Sequence, residues 1–349
     1  MIALFSKALA DDINKRLVAY EQGIMDVTAY NAALLAASSP SGLPLPADCK
    51  TAAVQNFNNA RSSANKWMEV IVKHCRTIPE TISGYDFQFK MNVKMISQSL
   101  DELSANPNDA EVKTALKKTL DGMCAVMDLY IRDIKQNTDQ INQYYSNAKI
   151  NGVAFDKTLK DAVDQVARDK EKVKEIQANI KKATDALNVA SLRVKGDELL
   201  LGSTAYIILC TFMLGIPLLF TALDLNFAKS HVSQEKDLLD AYNSQLDAEN
   251  KAIASLSLAQ TIYGQLCQRI DSLLKSSSSV TLIWQNFKDE CAAFAREITD
   301  LEKEVSAEEI KEAIAAVEAM QDNWKRVKSL SDVLKDVKYN IIRLNDNAA

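Results

Sequence analysis

The chain has 349 residues, of which 47% are hydrophobic and 25% charged, with only 9 Gly and 6 Pro; this excludes disordered, collagenous and cysteine-knot chains. Gly and Pro together are about 4% against an average near ~12%, too few for the many tight turns of an all-β or doubly wound fold, so the expected class is all-α. With 41 basic and 46 acidic residues the net charge is −5, which leaves no field to attract nucleic acid.

The N-terminus, Met1 to Ala10, lacks a basic leader region and has an apolar run too short for a secretory signal, so release without an evident signal peptide is expected. Apolar residues at helical spacing (Ile13, Leu17, Tyr20, Ile24) predict one or two helices over 2–36. The stretch Ser38 to Pro46 holds three prolines in seven residues and reads as a surface loop. A helix is predicted from about Lys50 through Phe57, Trp67 and Ile71 to Ile78, stopping at Pro79, and another over about 88–104. Asp109, in the turn Asn106-Pro107-Asn108-Asp109, is placed to cap the next helix, whose apolar face runs from Val112 to Ile141.

At Asn151-Gly152 a boundary is expected, because loose amphipathicity gives way to a seven-residue repeat. Leu159, Val166, Val173, Ile180, Leu187 and Val194 form one heptad row, with Ala162, Ile176, Ala183 and Ala190 three positions on. A second row comprises Leu225, Val232, Leu239, Leu246, Ile253, Gln260, Cys267 and Leu274, with Leu256, Tyr263 and Ile270 among its companions. At ~1.5 Å per residue the two limbs would be about 69 and 73 Å long, matched as in an antiparallel hairpin. Gln260 and Cys267 in seam positions, with Glu235 and Glu249 beside them, are expected to weaken the second limb. After a break at the serines 276–279, a wide apolar face (Ile283, Trp284, Phe287, Phe294) and a capping box at Ser306 and Glu309 predict two further helices. The domain reading is therefore an N-terminal body part, 1–150, a coiled-coil stalk and head, 151–274, and a C-terminal part, 275–349, that completes the body bundle.

Between the limbs, Leu199 to Leu223 forms 25 residues without a charge, about 37 Å as a helix against a hydrocarbon core of ~30 Å. Its apolar residues are Leu199, Leu200, Leu201, Tyr206, Ile207, Ile208, Leu209, Phe212, Met213, Leu214, Ile216, Leu218, Leu219, Phe220 and Leu223, while Gly202, Gly215 and Pro217 allow a kink or hairpin tip. A buried core helix, a constitutive anchor and a conditional inserter all compete for this segment. Core helices that are apolar all round are usually shorter. Against an anchor, the flanks carry only Arg193 and Lys195 on one side and Lys229 and Lys236 on the other, so orientation by positive charge is barely encoded. Limbs of equal length on opposite sides of a bilayer also could not pair. The conditional inserter, a hydrophobic foot covered until it meets a membrane, is favoured. Exposing ~25 apolar side chains would cost tens of kcal/mol at ~1.5 to 3 each, so a cover is required.

Neither His74 nor His231 has metal-ligand spacing, and no phosphate loop or nucleophile elbow occurs, so neither enzyme activity nor a cofactor is expected. The six cysteines (49, 75, 124, 210, 267, 291) show no paired spacing and read as free thiols. Trp67, Trp284 and Trp324 read as core anchors.

A charge-free segment between two long heptad limbs, with a bundle built from both termini, resembles the α-helical pore-forming toxins. Within them it looks like the B component of the two-component xenorhabdolysin (Xax/Yax-type) cytotoxins, related in architecture to cytolysin-A-like toxins. The resemblance implies a soluble protein that pairs with an A-type component, assembles into a ring on a target membrane and inserts its foot, here Leu199 to Leu223. The acidic stretch from Asp224 to about Ile253 would reorganise with it. The other function class is a membrane-anchored coiled-coil scaffold or sensor.

Overall fold

The structure, a computed structural model, describes residues 4–36, 39–166, 171, 173–175, 177–178 and 248–335. Helix α1 spans Lys7–Ala36, a 3-10 turn Pro40–Gly42, and α2 Ala47–Lys66. A π-helical turn, Trp67–Ile71, leads into α3, Val72–Cys75; then come α4 (Thr77–Ala105), α5 (Ala110–Val166), α6 (Ala248–Thr299) and α7 (Ala307–Lys335). Among the described residues there is no strand. The all-α class expected from the scarcity of Gly and Pro is the class observed.

The chemistry of the helix starts is as the sequence indicates. Asp109 Oδ1 accepts the backbone N–H groups of Glu111 at 3.0 Å and Val112 at 3.1 Å, opening α5. Ser306 and Glu309 bond each other reciprocally: Glu309 N–H donates to Ser306 Oγ at 3.2 Å, and Ser306 N–H to Glu309 Oε2 at 2.8 Å. That backbone bond, followed by the Lys303 ammonium, pulls the Glu309 carboxyl down to about 2.

Three expected breaks fall differently. Pro79 does not end a helix; it is the third residue of α4, where its missing N–H costs nothing because first-turn donors have no intrahelical acceptor. The interruption lies instead at Arg76, and α4 starts eleven residues before the expected 88. The His74 carbonyl freed there accepts Thr77 Oγ1 at 2.7 Å and Asn137 Nδ2 at 3.1 Å, and Arg76 Nη2 donates to the Lys335 carbonyl at 3.2 Å. Asn151 and Gly152 lie inside the continuous α5. Asn151 is buried and donates to Ser63 Oγ at 3.3 Å, so its amide serves a packing partner rather than a turn. The serines 276–279 lie inside α6. Ser278 Oγ donates back to the Leu274 carbonyl at 3.0 Å, and the buried Ser277 shares a hydrogen bond with Thr138 Oγ1. Hydroxyls that bond a carbonyl four residues back are tolerated inside a helix.

The chain divides into two compact units, one within residues 1–22, 73–140 and 273–338, the other within 23–72, 141–272 and 339–349. The first has an aromatic core. Trp324 stacks on Phe89 with centroids 4.2 Å apart and planes 15° apart, Tyr85 meets Trp324 edge-on at 5.6 Å, and Tyr130 meets Trp284 at 5.4 Å. Lys113, only 1% exposed, donates from Nζ to the carbonyls of Asp300 (2.9 Å) and Lys303 (2.8 Å) just past the end of α6, a cation satisfied by the oxygens a helix end leaves open. In the second unit a polar layer crosses the core: Trp67 Nε1 donates to Thr28 Oγ1 at 3.0 Å, Tyr144 OH to Asn31 Oδ1, and Tyr30 OH to Gln265 Oε1 at 3.0 Å. All three tryptophans are buried, as expected of core anchors. Cys49, Cys75, Cys124, Cys267 and Cys291 are free, and Cys210 lies outside the described residues. Burial pushes the Cys75 thiol up to about 12, which makes it a poor nucleophile at neutral pH.

Glu21, 1% exposed in the first unit, carries a carboxyl raised by burial from 4.5 to about 7, with the Arg76 charge pulling the other way. A group whose folded pKa exceeds its unfolded one contributes stability that is full below pH 4.5 and lost as pH rises through about 7. Glu21→Gln cannot ionise, so it escapes that loss. Denaturant titrations at pH 5 and pH 8 should therefore show the variant gaining about 2.5 kcal/mol on the unaltered protein at the higher pH, at ~1.4 kcal/mol per unit and with part of the loss already present at pH 5. A stability difference that stays constant with pH would contradict this.

Candidate functional site

The segment expected to act on membranes, with Leu199, Leu200, Leu201, Tyr206, Ile207, Ile208, Leu209, Phe212, Met213, Leu214, Ile216, Leu218, Leu219, Phe220 and Leu223 and with Gly202, Gly215 and Pro217, lies outside the described residues. So do the seam positions Ile180, Leu187, Val194, Leu239 and Leu246. No helix among the described residues is long and apolar enough to cross a membrane. What the structure describes of the two heptad stretches lies in the second unit. Val166 is the last residue of α5, and Val173 and Ile253 are both buried.

There the two limbs share one core. Leu159 and Ala162 of α5 and Val173 beyond it pack in a cluster with Ala252, Ile253 and Leu256 of α6. Where they are described, members of the two heptad patterns thus lie in one cluster. A third wall was not anticipated: Leu45, Cys49 and Ala53 belong to the same cluster, with Leu43 and Val163 packed against it. The prolines of this stretch mark a surface loop, yet Leu45 between them is buried. The available signal was the i, i+4 spacing of Leu45, Cys49 and Ala53, which a scan for proline-rich loops passes over.

The two rows of the second limb fare differently. Ile253 is buried, whereas Gln260 and Cys267, seven and fourteen residues on, are half-buried. The companion row Leu256, Tyr263 and Ile270 keeps its seven-residue spacing and stays buried, joined by Leu266 and Leu273. Gln260 and Cys267 thus stand at the margin of the apolar face, and Gln260 Nε2 donates to Asp156 Oδ1 across its edge. The inner row is firm: Phe155 stacks on Tyr263 at 4.9 Å, and burial raises the Tyr263 hydroxyl's pKa.

Beside this core runs an open groove of about 890 Å³ between α5 and α6, lined by Asp156, Lys160, Val163, Ser257, Gln260 and Gln268 among others. Its walls carry both charges and several amides. No group of acidic, histidine or cysteine side chains among the described residues could hold a metal ion.

No protein-family model matches the chain, and no curated protein matches it in sequence. Solved structures do resemble it over almost their whole length. The HblL1 toxin component of Bacillus cereus aligns with a TM-score of 0.68 at 12% identity, covering 95% of this chain and 96% of its own. Soluble SmhA of the tripartite α-pore-forming toxin Smh from Serratia marcescens gives 0.68 at 12%, with 95% and 94% covered. Motility-associated killing factor B of Vibrio cholerae gives 0.65 at 12%, with 94% and 93%. This chain has the fold of these toxin components, in agreement with the resemblance read from its sequence.

Proposed function

We propose that this chain is a subunit of a multi-component α-pore-forming cytotoxin. In this reading, residues 1–150 and 275–349 form a body and 151–274 a stalk whose foot, 199–223, crosses the target membrane. The chain is released as a soluble protein, pairs with an A-type partner component and joins a ring of such pairs. The observation that carries this is a coincidence of two facts. A fold shared with toxin components over 95% of the chain occurs together with 25 consecutive uncharged residues at its centre. A helix keeps its own backbone bonds satisfied in lipid, so moving such a segment from protein cover to hydrocarbon leaves its apolar area buried in both states.

The test is dye release from liposomes and lysis of cells by the purified chain, alone and with candidate partner components, alongside fractionation after expression without detergent. Recovery in the soluble fraction, with permeabilisation that depends on a partner, is expected. Obligate partitioning with membranes and no dye release would instead identify a resident coiled-coil scaffold.

A further inference from the structure

The residues just before α1 are held in an unusual way. Phe5 has φ of 49°, the one positive value on a non-glycine residue among those described. A bulky residue rarely enters this region unless its surroundings hold it there. Both of its backbone polar groups are read by side chains from distant helices. Its N–H donates to Glu290 Oε2 of α6 at 2.8 Å, and its carbonyl accepts Asn323 Nδ2 of α7 at 2.8 Å. The ring is wholly buried, 4.4 Å from Phe287 and 6.1 Å from Trp324 between centroids. Asn323 is itself only 6% exposed, and Leu4 beside Phe5 is 2% exposed.

Helix α1 begins independently of this contact. Ser6 Oγ accepts the Leu9 N–H at 3.1 Å and the Ser6 carbonyl accepts the Ala10 N–H at 3.0 Å. The capped helix start can persist whether or not the preceding residues are docked. One donor, one acceptor and an aromatic slot at fixed separations are what a peptide-recognition site contains: main-chain hydrogen bonds hold the peptide and a pocket reads one side chain.

We propose that Glu290, Asn323, Phe287 and Trp324 form a binding socket for an aromatic residue carried in a short peptide, that Phe5 is its resident ligand, and that the N-terminal lead is a detachable latch hinged at Ser6. The proposal is independent of the pore-forming reading. The strained φ of Phe5 favours release, and the two main-chain bonds and ring burial oppose it. The half-buried Glu290 carboxylate, which loses its N–H partner on undocking, adds to the closed state.

Phe5→Asp in the full chain cannot seat a charge between two rings, so it should vacate the socket. The probe is an acetylated, amidated peptide of residues 2–7, labelled for anisotropy. Saturable binding to the Phe5→Asp protein is expected, at least tenfold tighter than to the unaltered protein, whose socket is filled. Affinity should fall at least tenfold when the peptide's Phe becomes Ala, or when Asn323→Ala is added to the protein. Equal binding of the two peptides, or none to a folded Phe5→Asp protein, overturns the proposal. Hydrogen exchange on the unaltered protein gives a readout that does not need the variant to fold. The Phe5 amide should be protected at least tenfold less than the amides of Leu17 and Val18, and excess peptide should lower its protection further. Protection equal to that of α1 would mean that the lead opens only on global unfolding and is no latch.

Discussion

Replacing Leu209 with Asp is expected to abolish membrane permeabilisation while leaving a soluble, helical protein. Leu209 stands near the middle of the 25-residue uncharged segment, eleventh from Leu199. At the centre of a spanning helix Asp costs about 2.5 to 3.5 kcal/mol and the lost leucine about 0.5, roughly 3 kcal/mol or more per chain. At 1.4 kcal/mol per factor of ten, insertion of each copy becomes more than a hundredfold less favourable, and a ring of several copies multiplies the penalty. Dye release with the partner present should fall to background, with the far-UV circular dichroism unchanged. Gly215→Leu with Pro217→Leu should also lose activity, by stiffening the tip and not by adding charge. Full lysis by Leu209→Asp would remove the basis for assigning residues 199–223 to the membrane.

The second large effect concerns the aromatic core of the first unit. Trp324 is 1% exposed, stacked on Phe89, edge-on to Tyr85, and 6.1 Å from the Phe5 ring and 6.4 Å from the Trp284 ring between centroids. Its Nε1 donates to Asp86 Oδ1 at 3.1 Å, and the same carboxylate accepts Lys90 at 2.7 Å. Trp324→Ala leaves a cavity between four rings and removes one of these bonds. A cost of about 4 kcal/mol is expected, within the ~3–5 kcal/mol range for tryptophan truncation. Against a total stability of ~5–15 kcal/mol, that is a large fraction of what holds the protein folded. Trp324→Phe keeps the stack on Phe89 and should lose about half as much. Denaturant midpoints with an unchanged m-value would show it, and a loss under 1 kcal/mol would mean that the aromatic cluster rearranges to refill the space.

Features decided by neighbours in the chain were legible, and features decided by distant partners were not. Asp109 and the pair Ser306 and Glu309 act on amides two or three residues away, so their spacing alone places them. Serine 277 and Asn151 carry the same turn-forming chemistry, but Thr138 and Ser63 occupy their polar groups, and both helices continue. Pro79 was read as a stop because nothing local reveals that the interruption three residues earlier has already reset the helix. Residues 159 and 162 of one heptad pattern and 253 and 256 of the other lie in one cluster, but the pattern alone does not tell that Gln260 and Cys267 stand at its margin while Tyr263 and Ile270 lie inside. The Phe5 socket left no pattern at all, since its parts come from three places in the chain.

The third wall of the limb core has a consequence for how the chain tolerates change. Two helices joined only to each other could be lengthened, swapped or excised as a module. Here the cluster around Val173 and Ile253 is completed by Leu45 and Cys49, delivered by the short turn at Pro40–Gly42 and the start of α2. This core is a three-part joint whose smallest part sits on a surface loop, ordinarily the place where insertions and cuts do least harm. In this chain, an insertion between Ser39 and Pro46 would be felt as a loosening at Ile253, far along the sequence from the altered residues.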